Sequence, residues 1–199
     1  MSKRILDVVV ATVALALCTP ILALAAIAIV IESRGPVLHK AIRVGRNRAP
    51  FTLFKLRSMR LDAAQDGPGI TVLGDHRVTR VGRFCRRFKI DELPQLWNVI
   101  RGDMSIVGPR PEDQRYLDDY TAEQLKLLDW RPGITSPGSV RFRDEEKVLR
   151  ELTERGVDLD TAYREVLSIK LGLELDYFPI ATVRSDIGWV LRTAVAIVR

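Results

Sequence analysis

The hydropathy pattern is dominated by an apolar run near the N-terminus, residues 8–31, which reads VVVATVALALCTPILALAAIAIVI. It contains no charged residue over 24 positions, and about 20 apolar residues suffice for a helix to cross the hydrocarbon core of a bilayer. A secretory signal peptide has a shorter apolar run and a small-residue cleavage site. Because this run leads directly into Glu32-Ser33-Arg34, we interpret it as a retained membrane helix.

Pro20 lies near the middle of this run, where its ring removes one helical hydrogen bond, so a kink or break is predicted there. One interpretation is a kinked helix that spans the bilayer, with Thr19 bonding to freed carbonyls. The other is a re-entrant helix-break-helix that enters and leaves by the same face. Basic residues flank both ends, with Lys3 and Arg4 before the run and a basic segment from Arg34 onward. A spanning helix would place one basic flank outside, against the positive-inside tendency, but the residues alone leave both topologies open.

Two β-prone runs follow, VLHKAIRV and APFTLFKLRSM, separated by Gly45-Arg46-Asn47-Arg48. Such runs around a Gly/Asn turn predict a β-hairpin. No acidic residue occurs between Arg34 and Leu61, so the hairpin is expected to carry a strongly positive potential. Its bases are Lys40, Arg43, Arg46, Arg48, Lys55, Arg57 and Arg60.

The next stretch consists of a segment rich in turn formers followed by a basic segment. Residues 62–76 are rich in turn-forming residues and predict a loop. Residues 77–90 then carry six bases and no acid, and at helical spacing Arg83, Arg86 and Arg87 share one face.

From Glu112 onward the pattern is helical. Helices are predicted over residues 114–130, 145–155 and 160–177, with a loop at residues 131–138. The last segment, residues 186–199, mixes bases with apolar residues, which suits a helix on a membrane surface or a helix packed on the core. Of these two, we favour the core-packed helix.

Composition narrows the range of functions. The chain has 199 residues, 47% of them apolar, enough for one domain or a domain plus an appendage. A net charge of +6 and a pI near 9.6 indicate an anionic partner, either nucleic acid, an anionic membrane surface or a phosphorylated small molecule. Two cysteines and two isolated histidines form neither a disulfide framework nor a zinc motif, which favours a reducing, cytosolic setting for the polar part.

Two adjacent carboxylates, Asp91 and Glu92, follow the basic stretch in the sequence KIDELPQLWNVI. Pro94 suits the first turn of a helix, so an acidic N-cap is a complete structural explanation. A functional interpretation adds phosphate binding by the surrounding arginines and a divalent cation that bridges carboxylate and pyrophosphate. Because adjacent helical residues point about 100° apart, different roles are more natural than equivalent ones. Those roles are nucleophile and metal ligand.

Four motifs together resemble the bacterial sugar transferase family, the monotopic polyprenol-phosphate phosphoglycosyl transferases. They are the apolar run with its Thr-Pro, the hairpin GPVLHKAIRVGRNRAPFTLFKLRSMR, the basic run TRVGRFCRRFKIDELPQLWNVIRGDMSIVGPRPE and the loop RPGIT. The likeness covers residues 3–135 and continues more weakly to the end. The combination is highly specific, although no single motif is.

The resemblance implies a helix-rich α+β fold. Residues 1–33 would form a re-entrant membrane anchor broken at Thr19-Pro20, where the family has Ser-Pro. Residues 34–199 would form a catalytic domain with a short β-hairpin and interface-associated helices, facing the cytosol at the bacterial inner membrane. The threonine keeps a hydroxyl able to bond a freed carbonyl, so the break is expected to survive.

The resemblance also implies an activity. Family members move a sugar 1-phosphate from a UDP-sugar to a polyprenol phosphate and release UMP, as the first membrane step of glycoconjugate or exopolysaccharide synthesis. The partners would be these two substrates and the cytosolic leaflet of the bilayer, with no nucleic acid and with homo-oligomerisation left open. The alternatives are a membrane-tethered module that binds an anionic ligand and an interfacial nucleotide-sugar hydrolase.

The family's functional residues map onto this chain individually. Asp91 would be the nucleophile that forms a covalent phosphosugar intermediate, and Glu92 the acid that binds Mg²⁺. The phosphate- or nucleotide-binding positions fall on Lys55, Arg86, Arg110 and Arg143. The segment after RPGIT departs from the family pattern, and Arg141 competes with Arg143 for the nucleotide contact.

Overall fold

The computed structural model describes residues 2–63 and 69–198, so residues 64–68 of the predicted loop lie outside the described residues. The helices are α1 (Ser2–Glu32), α2 (Arg80–Arg87), α3 (Gln95–Arg101), α4 (Pro137–Arg141), α5 (Glu145–Glu154), α6 (Leu159–Tyr177) and α7 (Val183–Val198). The strands are β1 (Leu38–Val44), β2 (Pro50–Leu56), β3 (Ser105–Val107) and β4 (Gly133–Thr135). The predicted helix-rich α+β class is confirmed.

Helix α1 confirms the predicted apolar helix, and its length and composition are those of a helix that can cross a membrane. It runs through Pro20 without interruption, so the predicted break does not appear in the secondary structure, and re-entrance stays a prediction. The Thr19 hydroxyl donates to the Leu15 carbonyl at 2.8 Å. Because the carbonyl freed by Pro20 belongs to Ala16, the expectation that this hydroxyl bonds the freed carbonyl is wrong.

The N-terminal end of α1 is fixed to the polar part of the chain. Lys3 forms an ion pair with Asp186 and donates to the Val107 carbonyl at 3.0 Å. The buried carboxylate of Asp7 accepts a hydrogen bond from the Ser105 hydroxyl at 2.7 Å. This end of α1 is therefore anchored beside β3.

The C-terminal end of α1 is fixed to the same body. The Glu32 carboxylate accepts hydrogen bonds from the main-chain N–H groups of Arg80 (2.7 Å) and Val81 (2.8 Å), the first residues of α2. Between the two ends, no side chain of residues 12–28 is buried. Both ends of α1 thus contact one body, and Ala11, Ala14 and Leu15 pack against the cluster formed with Leu53 and Leu96.

The predicted hairpin is confirmed. Strands β1 and β2 pair antiparallel with Leu38 opposite Leu56 and Val44 opposite Pro50, and Asn47 has a positive φ of 56° in the connecting turn. Helix α3 is fixed to β2 by the fully buried Asn98, whose side chain accepts from the Phe54 N–H at 3.1 Å and donates to the Thr52 carbonyl at 2.7 Å. The hairpin and the segment around Asp91 are therefore held together.

The second sheet brings two motif loops into contact. Strands β3 and β4 pair in parallel, Ser105 with Gly133 and Val107 with Thr135. A Cβ atom on Gly133 would lie 2.1 Å from the nitrogen of Gly108. Glycine is thus required for this close approach, and it places the GPRP and RPGIT segments side by side.

The predicted helices over residues 145–155 and 160–177 are confirmed as α5 and α6, whereas the helix predicted over residues 114–130 is wrong. Two short 3₁₀ helices, Gln114–Asp119 and Gln124–Asp129, occupy that segment. Thr121 and Gln124 exchange hydrogen bonds between side chain and main-chain N–H at 2.8 and 3.2 Å. This reciprocal capping starts a new helical segment and ends the preceding one.

The predicted loop at residues 131–138 contains β4 and the start of α4. The main core forms around α6, with Val166, Leu167 and Leu171 among its buried residues. Trp189 and Val190 of α7 pack against this core, as the favoured core-packed arrangement predicts. Ile187, Leu191 and Val195 of the same helix are exposed, so contact of that face with a membrane stays a prediction.

Candidate active site

The two adjacent carboxylates lie in a 3₁₀ turn, Ile90–Glu92, between α2 and α3. Lys89 precedes it with a positive φ of 55°, which turns the chain sharply after α2. Asp91 is 6% exposed, and its Oδ1 atom is buried without a hydrogen-bond partner in the described part of the chain. At the start of α3, Pro94 occupies the N-cap position and no side chain caps the helix. The capping interpretation of the carboxylates is therefore wrong.

Glu92 is paired, whereas no ion pair is seen for Asp91 among residues 2–63 and 69–198. Its Oε1 atom lies 3.4 Å from Lys55 Nζ and 3.4 Å from Arg110 Nη2. Burial alone would raise the pKa of Glu92, but the charges of Lys55, Arg110 and Lys89 outweigh this effect and lower the pKa well below its usual range. Glu92 is consequently ionised throughout the physiological pH range.

The pKa of Asp91 is shifted in the opposite direction. Burial, and then the charge of Glu92, raise the pKa of Asp91, although Lys55, Arg86 and Lys89 oppose the shift. A carboxylate that is buried, unpaired and destabilised in its charged form is a candidate nucleophile. The structure thus gives the two neighbours unequal environments, as the sequence predicts.

The hairpin lysine is perturbed by the same cluster. Burial lowers the pKa of Lys55, the charge of Glu92 partly offsets this, and the Arg110 guanidinium lowers it further. Lys55 and Arg110 thus depend on the same Glu92 oxygen to stabilise their positive charges.

The predicted catalytic and binding residues lie around one cavity of about 1280 Å³. Each predicted catalytic or binding side chain lines it, so the structure brings together positions from β2, α2, the GPRP segment and the segment after α4. They are Lys55, Arg86, Asp91, Glu92, Arg110 and Arg143. The predicted break residues Thr19 and Pro20 lie on α1, outside this lining.

Arg86 bridges α2 and α5 along one side of the cavity. Its Nη1 atom donates to Glu146 Oε1 at 2.6 Å and its Nε atom to Ser58 Oγ at 3.0 Å. Burial raises the pKa of Glu146, and the positive charges of Arg86 and Lys89 offset part of that shift. These contacts fix the direction of the Arg86 guanidinium.

The two rival arginines after RPGIT occupy different environments. Arg143 lines the cavity, donates from Nη2 to the Ile197 carbonyl at 3.3 Å, and has a buried Nε atom without a hydrogen-bond partner among residues 2–63 and 69–198. Arg141 is exposed and is absent from the cavity lining. Geometry favours Arg143 as a contact for a bound anion.

A buried polar group on α6 is absent from the residues predicted from the sequence. Lys170 is 2% exposed, and its Nζ atom lies 3.0 Å from Glu145 Oε1 and 3.8 Å from Glu112 Oε1. Glu174, one turn later, is 1% exposed and accepts a hydrogen bond from the main-chain N–H of Arg110. Their signal is a Lys/Glu pair four residues apart on the same face as Leu167 and Leu171, which the apolar periodicity assigns to the core.

No group of three or more His, Cys, Asp or Glu side chains capable of holding a metal occurs within the described residues. The donor set nevertheless fits Mg²⁺, which commonly binds one or two carboxylates and completes its coordination with waters and substrate phosphates. Glu92 is held ionised and the neighbouring Asp91 Oδ1 has no hydrogen-bond partner among the described residues. These carboxylates could hold the ion together with phosphate oxygens.

Comparisons with known proteins give a consistent result. The family described as "Bacterial sugar transferase" matches residues 1–198. The chain is 42% identical over 196 residues to the UDP-glucose:undecaprenyl-phosphate glucose-1-phosphate transferase of Caulobacter vibrioides, covering 96% of this chain and 67% of that protein. It is 39% identical over 187 residues to the undecaprenyl-phosphate glucose phosphotransferase of Komagataeibacter xylinus, covering 90% and 35%.

A third relative acts on a different sugar. The chain is 43% identical over 136 residues to the UDP-N-acetylgalactosamine-undecaprenyl-phosphate N-acetylgalactosaminephosphotransferase of Aeromonas hydrophila, covering 67% of this chain and 32% of that protein. The chain therefore spans about two thirds of the Caulobacter relative and about a third of the other two.

Proposed function

Because the chain belongs to the bacterial sugar transferase family, which makes it a transferase, we propose that it moves a sugar 1-phosphate from a UDP-sugar to a polyprenol phosphate. The observation that carries the proposal is the environment of Asp91, a buried carboxylate with an unpartnered oxygen, within the described residues, in a cavity lined by cations. The names of the relatives support both substrates. Such a reaction serves the first membrane step of glycoconjugate or exopolysaccharide synthesis.

The reaction proceeds in two displacements. A carboxylate oxygen of Asp91 attacks the phosphorus that carries the sugar, the bond from this phosphorus to the bridging oxygen breaks, and UMP leaves with the electron pair. An oxygen of polyprenol phosphate then attacks the same phosphorus, its bond to Asp91 breaks, and the carboxylate is regenerated. The product is a polyprenol diphosphate sugar.

Neighbouring side chains position the anionic substrates and stabilise the charge that develops. Arg86, Arg110 and Arg143 present guanidinium groups to the cavity, and guanidinium binds phosphate oxygens with a defined geometry. Lys55 adds a point charge next to Glu92. Glu92 would hold Mg²⁺, and the ion would supply charge neutralisation that lessens the repulsion between Asp91 and the anionic substrate.

The membrane topology forms a second part of the proposal. Both ends of α1 contact one body, through Lys3 and Asp7 at the start and Glu32 at the end. A helix that crossed the bilayer would separate its ends by roughly 30 Å of hydrocarbon and would have to lose one set of these contacts. We therefore place α1 as a re-entrant, monotopic anchor.

The re-entrant arrangement also supports a cytosolic position for the catalytic domain. Residues 1–33 form the anchor and residues 34–199 the catalytic domain in this proposal. Basic residues flank α1 at both ends, and a re-entrant anchor keeps both flanks on the cytosolic face, as the positive-inside tendency favours. The catalytic domain then faces the cytosol at the bacterial inner membrane, where a soluble nucleotide sugar meets the phosphate of a membrane lipid.

The decisive experiment measures UMP release from a panel of UDP-sugars with polyprenol phosphate and Mg²⁺. Repeated turnover that requires polyprenol phosphate is the expected result. Repeated turnover with water as the acceptor would instead identify a hydrolase, and a complete lack of metal-dependent turnover with every sugar would favour a binding module. Trapping of a labelled phosphosugar on the wild type, and not on Asp91→Asn, tests the covalent step.

A further inference from the structure

A buried carboxylate behind the cavity connects two of its loops. Glu174 of α6 is 1% exposed, and its Oε1 atom accepts hydrogen bonds from the Ser136 hydroxyl at 2.6 Å and from the main-chain N–H of Arg110 at 3.3 Å. Ser136 caps α4, and Arg110 belongs to the GPRP segment. One oxygen atom thus holds both loops at the ends of β3 and β4.

The connection continues from the main chain of Arg110 to the reacting group. The side chain of Arg110 extends into the cavity, where Nη2 lies 3.4 Å from Glu92 Oε1. Glu92 directly follows Asp91 in the 3₁₀ turn. Glu174 is therefore one of the groups that hold the main chain around Arg110, together with the Gly133 N–H, which donates to the Pro109 carbonyl at 2.8 Å.

A purely structural role does not readily explain a carboxylate at this position. On the core face of α6 its buried neighbours are Leu167 (3% exposed), Leu171 (5%) and one charged residue, Lys170 (2%). Burial of a carboxylate is costly unless it is paired and hydrogen-bonded, and an apolar side chain fills such a position without that cost. Among the described residues, both hydrogen-bond donors to Glu174 belong to loops beside the cavity.

Charged residues also lie near Glu174. Lys170 lies one turn earlier on α6 and contacts Glu145 of α5 and Glu112, which follows the GPRP segment. Burial raises the pKa of Glu174 to about 7, although the Ser136 hydrogen bond, the Lys170 charge and the Arg110 main-chain hydrogen bond oppose the shift. Neither protonation state removes Oε1 as an acceptor, so the connection does not require a permanently ionised group.

We propose that Glu174 is a positioning residue for Arg110: its carboxylate fixes the Arg110 main chain against Ser136, so that the guanidinium stands beside Glu92 and binds a substrate phosphate. The inference rests on the proposed transferase function, since it assigns Arg110 a phosphate contact. Glu174 does not touch substrate and acts through Arg110. A displacement of about 1 Å in a positioned group can reduce a rate by about 10²-fold.

Two variants separate the hydrogen-bond role from simple filling of the site. Glu174→Leu removes the acceptor and retains most of the volume, and we expect kcat/KM for UMP release and the affinity for UDP to fall by about 10- to 100-fold. Glu174→Gln keeps an oxygen that accepts both hydrogen bonds, and we expect it to restore affinity to within about threefold. The matched control is Glu165→Leu, an exposed position on the same helix, for which no change is expected.

A double-mutant cycle with Arg110→Ala tests whether Glu174 acts through Arg110. In the Arg110→Ala background, Glu174→Leu should cause no further loss of UDP affinity. A further loss equal to that seen in the wild type would overturn the proposal, as would a Glu174→Gln variant as impaired as Glu174→Leu. Ser136→Ala, which removes only one donor, provides a milder variant if Glu174→Leu does not fold, and its effect should also vanish in the Arg110→Ala background.

The UMP-release and UDP-binding measurements allow the positioning proposal and the transferase proposal to fail separately. If the wild type binds UDP but releases no UMP from any UDP-sugar, the transferase proposal fails. The UDP-binding cycle then still reports whether Glu174 positions Arg110.

Discussion

Replacement of Asp91 by asparagine is expected to abolish activity and, at the same time, to stabilise the protein. The Oδ1 atom of Asp91 is buried and has no hydrogen-bond partner within the described residues, and the residue does not cap α3. Its charge is also disfavoured by burial and by the adjacent Glu92. An asparagine side chain has nearly the same shape without the charge, so the folded state should lose a destabilising feature.

The magnitude follows from the desolvation of the charged carboxylate, which costs at least about 1–3 kcal/mol, because an asparagine amide keeps a buried polar atom there but carries no charge. For a chain of this length, each kcal/mol shifts the unfolding midpoint by about 2–4 °C, so Asp91→Asn should raise the midpoint by about 2 to 12 °C. Turnover should fall by about 10⁴-fold or more, because the nucleophile is lost. A capping role predicts the opposite sign for stability, a loss of about 0.5–2 kcal/mol.

The pH dependence provides an independent check. The folded-state pKa of Asp91 is raised, so its unfavourable contribution appears as the pH rises through that pKa and is absent below the ordinary aspartate value of about 3.9. The stability difference between Asp91→Asn and the wild type should therefore be largest near pH 8 and should vanish at about pH 3.5.

Thermal unfolding in detergent, recorded across this pH range, measures the stability change. The control is Asp176→Asn, an exposed carboxylate on α6 that should change neither stability nor turnover. A lower midpoint for Asp91→Asn, or nearly normal turnover, would refute the reasoning.

Three further predictions test the cations, the carboxylate pair and the anchor. Glu92→Gln leaves Lys55 and Arg110 without their shared partner, so we expect a loss of about 3 kcal/mol at neutral pH and a weaker Mg²⁺ dependence of turnover. Because the folded-state pKa of Glu92 is lowered, this stability gap should close only as the pH falls below about 4; an unchanged Mg²⁺ titration would exclude the metal role. Arg143→Ala should weaken UDP binding by about 10-fold or more, whereas the matched Arg141→Ala variant should match the wild type, and equal effects would remove the distinction between them. Cysteines introduced at positions 2 and 33 should label from the same side of the membrane, and labelling from opposite sides would establish a spanning helix.

Local sequence patterns predicted the elements whose structure is determined locally. The length of the apolar run predicted α1, alternation around a Gly/Asn turn predicted the hairpin, and helical periodicity predicted α5 and α6. The segment over residues 114–130 failed because amphipathic periodicity alone does not register the capping pair formed by Thr121 and Gln124. At Pro20, where a kink or break was predicted, the secondary structure of α1 is continuous, and a kink stays a prediction.

For the candidate site, the family resemblance predicted more of the residues than local patterns did. Resemblance to a family placed six side chains in one site, and the structure brings them to one cavity. Local reasoning about Asp91 gave a helix cap, which is wrong because Pro94 takes that position. Glu174 was missed because its importance depends on a contact across 64 residues, to the main chain of Arg110, and no local pattern encodes that contact.

Charge pairing elsewhere in the cavity explains why an oxygen of Asp91 has no partner among the described residues, although many bases lie nearby. Arg86 is matched by Glu146 at 2.6 Å, and Lys55 and Arg110 are matched by Glu92 at 3.4 Å. These pairs hold the cations in fixed directions, and preorganised charges stabilise a transition state without reorganisation during the reaction. A cation paired directly with Asp91 would stabilise the carboxylate and weaken it as a nucleophile. The three cations Lys55, Arg86 and Arg110 thus pair with Glu92 or Glu146. Among the described residues, an oxygen of Asp91 is left without a partner that would have to be displaced before attack.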